Sequence, residues 1–292
     1  MSIDRTILFR LATSVRLERA VRTAPRGEGL AWRAASRYVA GRTHEDARRV
    51  VGDLYTRGAA SSVDQFGELV RNMETAEQVG EDYRRLATSL ATFPDDAWLS
   101  IDLSHLGLDI DPPGCADQLA AIAQTLPTGR RIQVGAEDHA RAGAVLRCVL
   151  DVAERGMADR LGATAQANLH RTPEDMEQLI AAGLHIRLVK GAYVEPSHLA
   201  LTYGEPTDVA YLHLAHRLAE VGASYALATH DGVLREALLA ALGPAPVEQL
   251  LGVRPDVVDD LISRGVPVRV YVPFGNDWFR YWMRRLAESR GA

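Results

Sequence analysis

Residues 185–191 read HIRLVKG. The run is short, rich in apolar residues and closed by a glycine, which marks a β-strand. Successive strand side chains point to opposite faces, so Arg187 and Val189 share one face while Leu188 and Lys190 share the other. Seven further runs punctuate the chain: SSVDQF (61–66), WLSIDL (98–103), RIQVG (131–135), LGATAQ (161–166), SYALAT (224–229), PVEQLL (246–251) and VPVRVYV (266–272). Helical stretches of about 10 to 20 residues separate most of them. Eight strands alternating with helices predict a parallel (β/α)8 TIM-like barrel, an α/β fold. The run 246–251 also reads as a loop. A doubly wound sheet is the competing architecture, but no GxGxxG follows the first strand, and the GEG at Gly27 to Gly29 lies between helices.

The chain ahead of the strands is helical in pattern. RLATSVRLERAVRTA (10–24) has apolar positions at helical spacing. In THEDARRVVGDLYTRG (43–58), Thr43 can cap a helix whose first turn carries Glu45 and Asp46. A further helix is read near EQVGEDYRRLATSL (77–90). The expected organisation is a helical arm over 1–58 followed by the barrel over 59–292.

Composition bounds the function. The chain has 292 residues, 47% of them hydrophobic and 24% charged, with a net charge of −5. These values exclude a disordered protein, and the acidic balance argues against a nucleic-acid binder. No run of about 18 uncharged apolar residues occurs, and charge breaks up the first twenty or so residues. Two cysteines, Cys115 and Cys148, do not make a disulfide framework. A cytoplasmic protein is expected, with no metal, because there is no HExxH and no paired cysteines. Of 33 basic residues only one is a lysine, Lys190. Chance is the plain explanation; the sharper one is a position that needs a compact ammonium rather than a planar guanidinium.

Barrel enzymes place their sites at the C-terminal ends of the strands. There the sequence sets Asp102, Gln166, Arg187 with Lys190, Thr229 with His230 and Asp231, and Tyr271. Gln166 inside an apolar strand needs partners for its amide. A turn near Gly191 can swing Lys190 over the mouth, and two cations at one strand end suggest an anionic ligand. In the last helix, DWFRYWMRRLAES, Tyr281, Arg284, Arg285 and Glu288 fall at spacings that place them near one face. Paired arginines suit a carboxylate; a solvated face with intrahelical ion pairs is the ordinary alternative.

These residues resemble the proline dehydrogenase family. The matching segments are RYVAGRTHEDARRVVGDLYTRG, DQFGE (64–68), LSHLGLDI, AQANLHRTPED, RLVKGAYVEP, ATHD, EQLLGVR, VRVYVPFG and DWFRYWMRRLAE, covering about residues 35 to 290. The resemblance implies a flavin-dependent enzyme that oxidises L-proline or a related cyclic amino acid to an imine by hydride transfer to flavin N5. It implies FAD bound without a Rossmann domain, with a quinone as electron acceptor and peripheral contact at the inner membrane face as a way to reach it. Carried over by position, Arg187 would stand beside flavin N5 and Gln166 at the pyrimidine side. Lys190, Gly191 and Ala192 would line the ribityl and pyrophosphate, and Thr229 with His230 the phosphates. Val189, Asp231 and Glu288 complete the cofactor set. Arg284 and Arg285 would hold the substrate carboxylate, while Tyr193, Tyr271 and Tyr281 wall the ring. Arg187 and Tyr271 are the catalytic candidates.

Two departures bear on the pocket. The family carries a lysine at the position of Asp102 and an aspartate at that of Gly135. Replacing a cation by an anion changes the local field by two charges, an effect of several kcal/mol at about 4 Å and an effective dielectric near 20. Asp102 is therefore expected to face the substrate unless His105 or an arginine compensates it, and the volume freed at Gly135 to admit a ring substituent. Val194 is a third departure, since some members carry an aromatic residue there. Two other readings stay open: a Schiff-base lyase or aldolase built on Lys190, and a catalytically silent flavin-binding relative.

Overall fold

The computed structural model describes residues 19–21, 23–24 and 27–289, save the side chains at 284 and 286–289. Most of the helix expected over residues 10–24 lies outside the described residues. Eight parallel strands close a barrel in sequence order: β1 (Ala60–Gln65), β2 (Ala97–Ile101), β3 (Ile132–Val134), β4 (Leu161–Gln166), β5 (His185–Val189), β6 (Tyr225–Ala228), β7 (Val247–Leu250) and β8 (Val268–Phe274). All eight runs expected from sequence are strands, including the ambiguous one at 246–251. Each ends within a few residues of its expected boundary.

The helices are α1 (Gly27–Ala35), α2 (His44–Thr56), α3 (Met73–Ser89), α4 (Pro112–Thr125), α5 (His139–Val152), α6 (Thr172–Ala181), α7 (Glu205–Glu220), α8 (Gly232–Leu242), α9 (Pro255–Ser263) and α10 (Trp278–Ser289). Polar side chains start several of them by bonding backbone N–H groups that have no partner within the helix. Thr43 and Asp46 form a reciprocal capping box on α2. Asn72, Asp138 and Asp231 cap α3, α5 and α8. No helix among the described residues is long and apolar enough to cross a membrane.

The strand pleat sorts the two faces. Outward residues such as Val63, Leu99, Ile132, Ile186, Leu188 and Leu227 are fully buried against the helices. Ala47, Val51 and Leu54 of α2 belong to this same core. The inward face is polar where barrels commonly pack branched aliphatics. Register pairs Ser62 with both Trp98 and Tyr271, Thr164 with Arg187, and Glu248 with Arg269. The Arg269 guanidinium lies 3.5 Å over the Trp98 ring, and His185 meets that ring edge-on.

A second, smaller core joins residues 31–39 to α10. Ala31, Ala35, Tyr38 and Val39 pack on Trp278, Phe279, Tyr281 and Met283, with Trp32 and Trp278 stacked edge-to-face at 5.1 Å. Gly275 N–H donates to Gly41 O at 3.0 Å beside this core. Residues 31–39 thus pack against α10, which follows the last strand.

Candidate active site

The strand ends gather a set of buried charges. Arg187 on β5 donates through Nε to Glu248 Oε2 on β7 at 2.6 Å and through Nη2 to Ser62 Oγ at 3.4 Å. Both members of the ion pair are buried. Burial alone would raise the Glu248 pKa, but the Arg187 charge, the His185 ring 3.9 Å away and the Arg269 charge outweigh it and hold the group at about 2. His185 is pushed below its ordinary value, chiefly by burial. Toward the mouth, the Tyr271 hydroxyl donates to Asp64 Oδ2 at the end of β1. Burial raises the Asp64 pKa to about 7, although the Tyr271 hydrogen bond and the Arg187 charge act to lower it.

The β5–β6 rim holds Lys190. The alternation read from RLVKG places its side chain on the helix-facing side, and there it stays. Its Nζ lies 2.5 Å from Asp208 Oδ1 on α7 and 2.9 Å from Asp231 Oδ2 at the start of α8. The other oxygen of Asp231 caps α8 through Leu234 N–H at 3.1 Å. Burial disfavours the ammonium, yet the two carboxylates more than compensate and raise the Lys190 pKa. Both cations read as markers of an anionic ligand are thus already matched by carboxylates of the chain. Gly191 follows at φ +123, and a β-carbon there would run into the Asn168 amide, so backbone strain and space both require glycine. Ala192 and Val194 beyond it are exposed, Val194 fully. Val189 is half-buried.

Four buried polar atoms in this region find no hydrogen-bond partner among the described residues: Gln166 Oε1, Asn168 Oδ1, His230 Nδ1 and Gln249 Oε1. Gln166 Nε2 is used, donating to Glu137 O at 2.8 Å. His230 Nε2 accepts the Leu250 N–H at 3.2 Å, which leaves the ring proton on Nδ1. Burial, reinforced by the Arg285 and Arg235 charges, lowers the His230 pKa to about 4. The ring is therefore a neutral donor whose neighbour in the chain is the Gln249 amide, with no closed hydrogen bond between them. Thr229 lies beside it and accepts the Asp231 N–H through Oγ1 at 3.1 Å. Buried polar atoms normally have partners, so this cluster has hydrogen-bonding capacity left for a polar ligand.

At the β2–β3 rim the structure overturns one expectation. The volume expected to be free at Gly135 is filled: the Asp102 carboxylate occupies the space that a β-carbon on Gly135 would need. His105 does not compensate the charge. Its Nδ1 pairs with the Tyr83 hydroxyl at 3.2 Å, and burial drives its pKa down to about 4, so the ring is neutral. Tyr193 reaches across to donate to Ala136 O at 3.1 Å.

α10 closes the group. Tyr281 stacks with Phe66 at 5.1 Å and Tyr271 at 6.0 Å, forming an aromatic wall next to Asp64. The Arg285 guanidinium lies 5.0 Å from the Tyr281 ring. The side chains of Arg284 and Glu288 lie outside the described residues. Sequence reading missed Asp64 and Glu248 as site residues. The signal available was a polar residue at every second position, Ser62 and Asp64 about a buried Val63, which says that one strand face is not hydrocarbon.

The arrangement suits binding of a cyclic amino acid: a wall for a ring, a cation for a carboxylate, and carboxyl groups near the strand ends. The sequence matches the family described as proline dehydrogenase over residues 47–292. It is 32% identical over 262 residues to proline dehydrogenase 1 of Bacillus subtilis subsp. natto, covering 87% of this chain and 86% of that protein. It is 31% identical to proline dehydrogenase of Deinococcus radiodurans, covering 88% and 87%. Among solved structures, proline utilization A from Bdellovibrio bacteriovorus inactivated by N-propargylglycine superposes with a TM-score of 0.84 at 19% identity. That match covers 98% of this chain but 37% of the other, so it speaks for the barrel fold alone. With the family matched across most of its length and the barrel to go with it, this chain belongs to the proline dehydrogenase family of oxidoreductases.

Proposed function

We propose that the protein is an FAD-dependent dehydrogenase that oxidises L-proline, or a close cyclic amino acid, to the corresponding cyclic imine. The observation that carries the cofactor is the partnerless cluster at the ends of β4 and β6. Gln166 Oε1 is an acceptor fit for an imide N–H, and His230 Nδ1–H is a donor fit for a phosphate oxygen. These donors and acceptors fit a flavin dinucleotide. Gln166, Arg187 and Val189 would hold the ring system, and Lys190, Gly191, Ala192, Thr229, His230, Asp231 and Glu288 the ribityl and phosphate portion. FAD supplies, when bound, a two-electron hydride acceptor.

The chain's own residues supply position and charge. Arg187, fixed by Glu248 and Ser62, is a cation that needs no reorganisation to stabilise negative charge developing beside it. Arg284 and Arg285 would take the substrate carboxylate, Tyr193, Tyr271 and Tyr281 would confine the ring, and Asp102 would face its polar edge. Of the arm proposed over 1–58, residues 31–39 pack on α10, while α2 packs into the core of the barrel proposed over 59–292. A quinone is the proposed electron acceptor for a cytoplasmic enzyme touching the membrane's inner face. The Schiff-base alternative is disfavoured because Lys190 is held charged by two carboxylates, the reverse of a nucleophilic amine.

Purification tests the proposal. The expected result is a yellow protein that bleaches on anaerobic addition of proline or a related cyclic amino acid. A folded, colourless protein that FAD does not reconstitute overturns the flavin reading. Borohydride trapping of a substrate on Lys190 would establish the Schiff-base reading in its place, and stable colour with no bleaching the silent one.

A further inference from the structure

Oxidation next to nitrogen needs the nitrogen lone pair, and an alkylammonium at neutral pH has none to give. A base must take that proton before the adjacent carbon can lose hydride. We propose that Asp64 is this base: its carboxylate, reached directly or through the Tyr271 hydroxyl that bonds it, accepts the proton of the substrate ammonium. The inference rests on the proposed function and adds a residue that neither the site expected from sequence nor the mechanism above employs.

Geometry carries it. Asp64 is 6% exposed at the C-terminal end of β1, where barrel enzymes do their chemistry. Its Oδ2 receives the Tyr271 hydroxyl, and Tyr271 stands in the aromatic wall with Tyr281. A proton can pass from the ammonium to the phenol oxygen as the phenol proton passes to Asp64. Ammonium and carboxylate become amine and carboxylic acid, and the balance needs no other reactant. The other titratable groups around Asp64 do not compete. Arg187 is a permanent cation, Tyr83 on α3 is buried with its pKa raised, and His105 is neutral and committed to Tyr83. The other carboxylates at this end are Asp102, packed on Gly135, Glu137, which accepts the Ser104 N–H at 3.0 Å, and Glu68 in the loop after β1. Burial also brings Asp64 to about 7, near the operating pH where a general base works best.

The test is the pH profile of kcat/KM for the best cyclic amino acid. In wild type it should rise with a limb near 7. Asp64→Asn should abolish that limb and lower kcat/KM by about 100-fold or more. Affinity for tetrahydrofuran-2-carboxylate, which has a ring oxygen and no proton to surrender, should stay within about threefold. Should Asp64→Asn not fold, Tyr271→Phe decides. The Tyr271 hydrogen bond lowers the Asp64 pKa, so its removal must move the limb to higher pH. A limb unchanged in Asp64→Asn, unmoved in Tyr271→Phe, or lost only in Asp102→Asn overturns the inference. Absence of turnover by wild type on any cyclic amino acid overturns the proposed function with it.

Discussion

The Asp102 carboxylate stands where a side chain on Gly135 would have to begin. The two residues end neighbouring strands, and Gly135 N–H donates to Ile101 O at 2.9 Å, so the backbone cannot drift apart to relieve a clash. Gly135 alone should therefore resist enlargement. Gly135→Ala is expected to cost about 1–3 kcal/mol by overpacking. Once Asp102→Ala has cleared the space, the same change should cost little. In a double-mutant cycle read from urea midpoints, a coupling of about 1 kcal/mol or more is expected. Additivity within about 0.5 kcal/mol would show that the contact is not tight.

The buried pair Arg187–Glu248 should dominate acid stability. Glu248 titrates at about 2 in the folded chain against an ordinary 4.5. Its pKa is depressed, so its contribution is present above 4.5 and is lost as pH falls toward 2, on the order of 3 kcal/mol. Glu248→Gln leaves the guanidinium buried without its counter-charge and should cost about 3–5 kcal/mol at neutral pH. Its further loss of stability in acid should be shallower than that of wild type. Asp64 has the opposite sign. Its folded pKa of about 7 lies above the ordinary 3.8, so its stabilisation is present below 3.8 and is lost as pH rises through 7. Asp64→Asn should gain on wild type above neutrality. Melting temperatures across pH check both signs.

Much of this was legible in the chain. Eight strand runs and their alternation gave the barrel because the side-chain period of two survives even when the inward face is polar. The alternation set Lys190 opposite Arg187, but the expected swing over the barrel mouth does not occur, because Asp208 and Asp231 hold the ammonium on the helix side. What could not be read was partnership. Glu248 meets Arg187 across 61 residues, and Asp208 meets Lys190 from inside α7, contacts that exist only once the barrel closes. Gly135 was legible as a lost side chain but not as filled space, because the rotamer of a neighbour on the next strand decides that.

Lys190 is the tie between β5, α7 and α8, and its removal should act on the cofactor as well as on the fold. Lys190→Ala leaves Asp208 and Asp231 facing each other, two anions beside the segment proposed to hold phosphates. The expected result is a lower FAD content on purification together with a lower melting temperature. Full flavin occupancy in the alanine protein would remove Lys190 from the cofactor set.

Arg285 lies on the same helix as Tyr281, with its guanidinium over that ring. If it clamps a carboxylate through charge-assisted hydrogen bonds, Arg285→Ala should cost about 2–5 kcal/mol in binding, roughly 30-fold or more in affinity. Flavin content should be preserved. Equilibrium binding of tetrahydrofuran-2-carboxylate measures this directly. Unchanged binding returns Arg285 to packing on Tyr281.

The Asp102–Gly135 relationship also bears on substrate choice. Because the space at Gly135 holds a carboxylate rather than a void, extra ring volume gains nothing there, while a ring substituent that donates a hydrogen bond can meet a charged acceptor. A hydrogen bond to a charged group is worth about 1.5–3 kcal/mol. The ratio of kcat/KM for 4-hydroxyproline to that for proline should therefore exceed the corresponding ratio for pipecolate, which adds a methylene and no donor. Asp102→Lys with Gly135→Asp reverses the charge at one position and places the carboxylate on the other strand. It should lower the hydroxyproline ratio by about tenfold or more and leave the pipecolate ratio close to wild type. If wild type prefers plain proline and the double variant leaves both ratios unchanged, Asp102 does not read the substrate, and the pair is a packing arrangement of the β2–β3 rim alone.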